Sequence, residues 1–265
     1  MKLLPILAAG LLLIPFSSAS YITINSQLPE IFTNENSTPV KLTISNTGDE
    51  GAFSVQTSFK TPDGINFPTL FEAKMDPDSR VDNFFNMNMT AELKPGKYPI
   101  VTITEYSDAN NYPFSAISYT FLVYNHRTSS DVNGLIDDVQ IPKGGKSGTK
   151  LKIVNSGPSE KDVKITLFLP KELFTSSYTE NVTLHPSEQK SIGIEISSLS
   201  ALPGSAYTIL ASIEYDDSGL HYSSFARGLA TISKNDGLFS NSITAVSIFI
   251  LSALILLKNR KPKRK

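Results

Sequence analysis

Apolar and polar residues alternate along most of the chain between residues 20 and 234. In the first half the runs are VKLTISN (40–46), AFSVQTSF (52–59), YPIVTIT (98–104) and ISYTFLVY (117–124); in the second they are TKLKIVN (149–155), DVKITLFL (162–169) and YTILASIEY (207–215). A period of two sends successive side chains to opposite faces, the signature of a half-buried strand, and no stretch of period 3.6 intervenes. Turn chemistry separates the runs: Asn46-Thr47-Gly48, Pro95-Gly96, Ser156-Gly157-Pro158 and Pro203-Gly204. Short strands at this spacing predict an all-β chain of sandwiches in the immunoglobulin-like manner, without the Cys and Trp of antibody-type domains.

The pattern occurs twice. VKLTISNTGDE (40–50) and TKLKIVNSGPS (149–159) align Asn46 with Asn155 and Gly48 with Gly157, an offset of 155 − 46 = 109 residues. Further on, LKPGKYPIVTITEYSDANN (93–111) faces ALPGSAYTILASIEYDDSG (201–219), with Tyr98 on Tyr207 and Asp108 opposite the acids of the second copy. Two tandem copies of one domain are expected. In each, Leu42 and Ile44, or Leu151 and Ile153, should point inward, while Lys41 and Thr43, or Lys150 and Lys152, face water. Asn46 and Asn155 should bond the backbone at the strand end, with Gly48 and Gly157 at positive φ.

Two charge-poor runs lie at the ends. Residues 1–19 hold Lys2, an apolar run from Leu3 to Phe16 and Ser17-Ser18-Ala19, the form of a secretory signal peptide. LFSNSITAVSIFILSALILL (238–257) is uncharged over twenty residues, enough for a membrane helix, and KNRKPKRK (258–265) follows with six basic residues. The expected organisation is signal peptide 1–19, first sandwich 20–125, linker 126–134 (HRTSSDVNG), second sandwich 135–234, membrane helix with a short lead 235–257, and cytoplasmic tail 258–265. So short a linker suggests sandwiches stacked end to end with restricted motion.

Charge sharpens this layout. Residues 20–237 hold all 25 acids but 17 of the 24 Lys and Arg, so their formal charge is 17 − 25 = −8. An acidic outer part argues against nucleic acid as partner. The chain has no Cys, so an exported protein would fold without disulfides.

Candidate chemistry is sparse. GGKSGTK (144–150) shares residues with a phosphate-binding loop, but Gln140 stands where its first Gly is required and a strand follows, so it reads as a turn. His126, His185 and His221 have no partner His or Cys at ligand spacing, and no G-x-S-x-G occurs. Asp137-Asp138, Asp216-Asp217 and DPDS (76–79) read as turn acids, with calcium at the sandwich junction as the alternative. No catalytic residue, metal ligand or cofactor is expected. Asn36, Asn88 and Asn181 begin N-x-S/T sequons and are candidate N-glycosylation sites. The stretch 67–89, rich in Phe and Met, is either core cover or a partner-binding surface.

The phrases KLTISNTGDEGAFSV, LKPGKYPIVTITEYSDANNYPFS and IEYDDSGLHYSS resemble repeats of archaeal and bacterial cell-surface proteins with S-layer-associated or CARDB-like sandwich domains. This resemblance implies a surface-exposed adhesive or scaffold module, presenting its surfaces to an envelope protein or glycan, and no reaction. The chain is also similar to the lumenal domains of the translocon-associated protein, which are single-pass sandwiches with basic tails; that implies an accessory subunit of a membrane or secretion complex. Residues Ser242, Ala245, Ser252 and Ala253 would allow helix contact in such a complex. The expected location is the plasma membrane with the sandwiches outside. In a eukaryote it is the ER membrane with lumenal sandwiches, where the tail matches K-x-K-x-x retrieval. In a prokaryote the tail would serve as a stop-transfer anchor.

Overall fold

The computed structural model describes residues 21–234; the expected signal peptide, apolar run 238–257 and basic tail lie outside them. Among the described residues there are eighteen strands, β1 to β18 in chain order, and no helix. One four-stranded sheet has the order β1 (Ile24–Gln27), β3 (Ser37–Asn46), β7 (Arg80–Met89), β5 (Ile65–Asn66). A second has the order β10 (Val132–Ile136), β12 (Lys146–Asn155), β16 (Gln189–Ser198), β14 (Leu173–Phe174).

The remaining strands form one large sheet. Its order is β15 (Thr179–Leu184), β13 (Lys161–Phe168), β17 (Ala206–Asp217), β18 (Leu220–Ile232), β8 (Gly96–Ser107), β4 (Ala52–Lys60), β6 (Leu70–Met75). In addition β9 (Pro113–Tyr124) pairs β8 and β2 (Ile31–Thr33), and β11 (Val139–Ile141) pairs β18. Adding nine to each strand number of β1–β9 reproduces the pairings of β10–β18. Both the small sheet and the β6-β4-β8-β9-β2 half of the large sheet are therefore written twice.

Each copy has its own core. One cluster runs from Ile24 to Leu122 and holds Leu42, Ile44, Met75, Met87 and Ile100; the other runs from Val132 to Ile232 and holds Leu151, Ile153, Leu184, Ile196 and Ile213. The alternation predicted this inward placement of Leu42, Ile44, Leu151 and Ile153. Thr43, by contrast, is buried, with its hydroxyl donating to Asp82 Oδ1 at 2.7 Å.

The repeated Asn does more than close a strand. Asn46 and Asn155 are fully buried, and each Nδ2 donates to three backbone carbonyls at matching offsets: Glu50, Met75 and Asp76 in one copy, Ser159, Leu184 and His185 in the other. Each Oδ1 accepts from the amide two residues on, at Gly48 (3.1 Å) or Gly157 (3.0 Å). One buried side chain thus satisfies backbone groups of two segments, the turn that follows it and a second turn 29–30 residues on. The two glycines differ from expectation: neither has positive φ. They are Gly because the segment leading into the first strand of each copy passes too close for a Cβ, which would collide with the Tyr21 carbonyl at Gly48 and lie 2.7 Å from Asp131 Oδ2 at Gly157.

Three further features depart from the sequence reading. The β17–β18 turn falls at Ser218-Gly219, both at positive φ, and Asp217 is the last paired residue before it. Strand β10 begins at Val132, inside the expected linker, because Val132 pairs Asn155 and enters the second core. The sandwiches also do not stack end to end: hairpin β8–β9 lies alongside hairpin β17–β18, with β8 and β18 joined in parallel at Gly96↔His221.

Candidate functional site

The junction between the sandwiches gathers most of the non-core chemistry. Along β8 and β9, Tyr98, Ile100 and Leu122 face the first core, whereas Val101 and Val123 are buried outside either core. Leu210 on β17 is in the same position, fully buried but absent from the second core. These residues are covered because the outer faces of the two hairpins meet, which removes apolar surface from water without joining the cores.

Polar contacts fix both ends of this seam. At one end the His221 ring stacks on Tyr98, with centroids 4.1 Å apart, and its Nδ1 lies 2.7 Å from Asp216 Oδ1; Lys94 Nζ donates to Asp216 Oδ2 at 2.7 Å. Hydrogen bonding to Lys94 and His221 outweighs burial and holds the Asp216 carboxyl below its ordinary range, although desolvation is the largest single influence and acts upward. Gly96 is required here, since a Cβ would collide with the His221 carbonyl oxygen. At the other end Glu172, fully buried, accepts from Ser115 N at 2.6 Å and Ser115 Oγ at 2.5 Å. Desolvation pushes the Glu172 carboxyl up, against the lowering effect of those bonds. Tyr112 Oη donates to the Ser200 carbonyl at 2.5 Å beside it.

On one flank the seam opens into a groove of about 660 Å³ lined by Lys97, Tyr119, Phe121, Asn133, Ser224 and Phe225. Its floor is a cluster of three rings contributed by both sandwiches: Tyr119 to Phe225 is 4.5 Å, Phe121 to Phe225 5.2 Å and Tyr119 to Phe121 6.5 Å between centroids. Tyr119 is 44% exposed, and Lys97 Nζ sits 3.7 Å from the Phe121 centroid. Glu30 faces the same cation and also pairs with Arg127, which covers Phe32. Aromatic rings with an edge of donors and acceptors suit a partner that combines apolar faces with hydrogen-bonding groups. A groove of about 830 Å³ on the opposite flank is lined by Lys60, Pro99, Lys164, Asn181, Glu214 and His221.

The sequence did not single out this ring cluster, yet a signal was present. ISYTFLVY is apolar on both of its faces, since Tyr119, Phe121 and Val123 alternate with Leu122 and Tyr124. A strand of that kind is covered on both sides.

The other sequence candidates are dispersed. Asn36, Asn88 and Asn181 are all exposed; Asn36 lies in the turn before β3, Asn88 accepts from Ser37 Oγ at 2.8 Å across β3 and β7, and Asn181 lies on β15 at the edge of the large sheet. The Phe- and Met-rich stretch splits between the two readings: Met75, Met87 and Met89 are core, Phe67 and Phe85 pack against it, and Phe71 and Phe84 are exposed. The paired acids each have partners of their own. Asp137 accepts from Lys152, Asp138 from the Leu229 amide, Asp216 from Lys94, and Asp217 from Lys161. Among the described residues no group of three or more His, Cys, Asp or Glu side chains is placed to hold a metal ion. The segment 142–145 is the turn between β11 and β12, with Gly145 N donating to the Pro142 carbonyl.

No family model and no curated protein matches the chain. Among solved structures it is similar to Escherichia coli alpha-2-macroglobulin activated by porcine elastase, at 11% identity and a TM-score of 0.34 over 83% of this chain and 22% of that one. It is also similar to the YadV chaperone (14% identity, TM-score 0.32, 78% of this chain and 98% of that one) and to the periplasmic chaperone SfaE (12%, 0.31, 78% and 100%). The chain thus spans about a fifth of the macroglobulin. The described residues, 21–234, form two packed all-β sandwiches.

Proposed function

We propose that this chain is a membrane-anchored, extracytoplasmic and non-enzymatic module. It comprises a signal peptide (1–19), two immunoglobulin-like sandwiches, a membrane helix within 235–257 and an inner basic tail. It serves as a cell-surface adhesion or scaffold unit that displays the Tyr119–Phe121–Phe225 groove to an envelope protein or glycan. The observation that carries this reading is the ring cluster itself: three aromatics from two sandwiches meet at one open groove, with Tyr119 exposed. Aromatic anchors at a rigid, partly desolvated site are the usual centre of binding energy. The three exposed sequon asparagines are the positions for N-glycans. The anchor places the protein in the plasma membrane, or in the ER membrane of a eukaryotic host.

The test is a photoreactive residue at Tyr119 in native membranes, with Glu180 on β15 as the control position. Capture of one envelope protein or glycoconjugate from Tyr119 alone supports the reading. Equal background from both positions contradicts it, and capture of secretion-complex subunits through positions in 238–257 would favour an accessory of such a complex instead.

A further inference from the structure

The end of the second sandwich from which the chain leaves toward residue 238 is built from three segments. They are the turn Pro142–Gly145, the loop Leu199–Ser205, and Ser233–Lys234 itself. Backbone bonds weld them together: Ser198 N to Gly145 O and Gly204 N to Ile232 O at 2.8 Å, and Ser233 N to Ile141 O at 2.9 Å. The loop carries Leu199, 63% exposed, and Leu202, 36% exposed, next to buried Ala201. These backbone bonds fix the loop with Leu199 and Leu202 exposed side by side on the end that faces the chain's exit. Tyr21, 57% exposed, shares a groove with Leu202 from the first sandwich. Lys143 and Lys234 are exposed on the same end, and Lys146 there pairs with Glu195.

From Lys234 to Leu238 there are four Cα steps, at most about 14 Å of chain. A bilayer's polar zone on each side is on the order of 5–8 Å deep. We infer that this end of the second sandwich docks on the anionic headgroup layer of the membrane, with Leu199 and Leu202 dipping into the interface and Lys143 and Lys234 meeting lipid phosphates. Apolar insertion and cationic attraction act together at such surfaces. Docking fixes the tilt of the sandwich pair, so the aromatic groove is held at a set height instead of swinging on its tether. This inference rests on reading 238–257 as a membrane helix.

The chain has no cysteine, so a single Cys is a unique label site. The full chain, reconstituted in phosphatidylcholine/phosphatidylglycerol vesicles, is labelled with an environment-sensitive dye at Leu199→Cys, Leu202→Cys or Ser129→Cys, the last lying in the segment after β9 that bonds to His221. Flotation shows whether the chain is anchored, and spin-labelled lipid shows whether the dye reaches the interface. The expected result is co-flotation with all three labels, loss of emission at 199 and 202, and no loss at 129. Lys143→Glu with Lys234→Glu should abolish that loss while co-flotation persists. Co-flotation with 199 and 202 as unquenched as 129 overturns the docking alone. Absence of co-flotation overturns the membrane reading and the docking with it.

Discussion

At the scale of single residues, the repeated Asn is the position on which each sandwich depends most. Its Nδ2 reaches three carbonyls, of Ser159 and of the adjacent Leu184 and His185, and its Oδ1 caps the following turn. Ala in its place would leave those buried carbonyls unpaired, and Asp would put a charge there with no donor for the same three acceptors. Asn155→Ala should therefore destabilise the second sandwich by on the order of 2–4 kcal/mol, whereas a nearby exposed change, Ser156→Ala, should cost little. Denaturant unfolding followed by tyrosine emission measures both, and equal midpoints would refute the role. The type of residue was legible from the duplicated Asn-x-Gly phrase. Its three acceptors were not, because two of them lie 29 and 30 residues away, on a turn whose position only the fold decides.

At the scale of elements, the strands themselves were readable because period-two alternation is local. Six of the seven quoted runs lie wholly in strands and the seventh ends one residue past β13, so the main errors concern what the strands' second faces do. Val101, Val123 and Leu210 put apolar side chains on the outer sides of runs quoted as half-buried; in the structure they are buried at the seam between hairpins. The seam's lower latch is Glu172, held by Ser115 across the junction. Burial pushes its carboxyl up, so the folded chain holds this proton more tightly than the unfolded chain does. Its contribution to stability is fully present below the unfolded value and is lost as pH rises through the folded one. Glu172→Gln, which stays neutral, should flatten the fall in stability that the parent shows as pH rises above the ordinary carboxylate range. Thermal unfolding across that range is the check, and superimposable profiles would rule out a titrating latch.

At the scale of the whole molecule, two similar sandwiches lie side by side and meet along long hairpins, with His221 on Tyr98 at one end of the seam and Glu172 on Ser115 at the other. That arrangement makes the aromatic groove a property of the pair, since Tyr119 and Phe121 come from one copy and Phe225 from the other. Composition could announce two domains and an acidic exterior, but the choice between end-to-end and side-by-side packing depends on which strand faces are already covered. Joined at both ends of this seam, the two sandwiches should move as one rigid body. The most direct measurement is pulsed electron resonance between spin labels at Asp63→Cys on the first sandwich and Ser187→Cys on the second, both exposed turn positions in a chain with no other cysteine. One narrow distance distribution is predicted, broadening when Leu210→Asp forces a charge into the seam. A broad distribution in the parent chain, unchanged by Leu210→Asp, would contradict the claim.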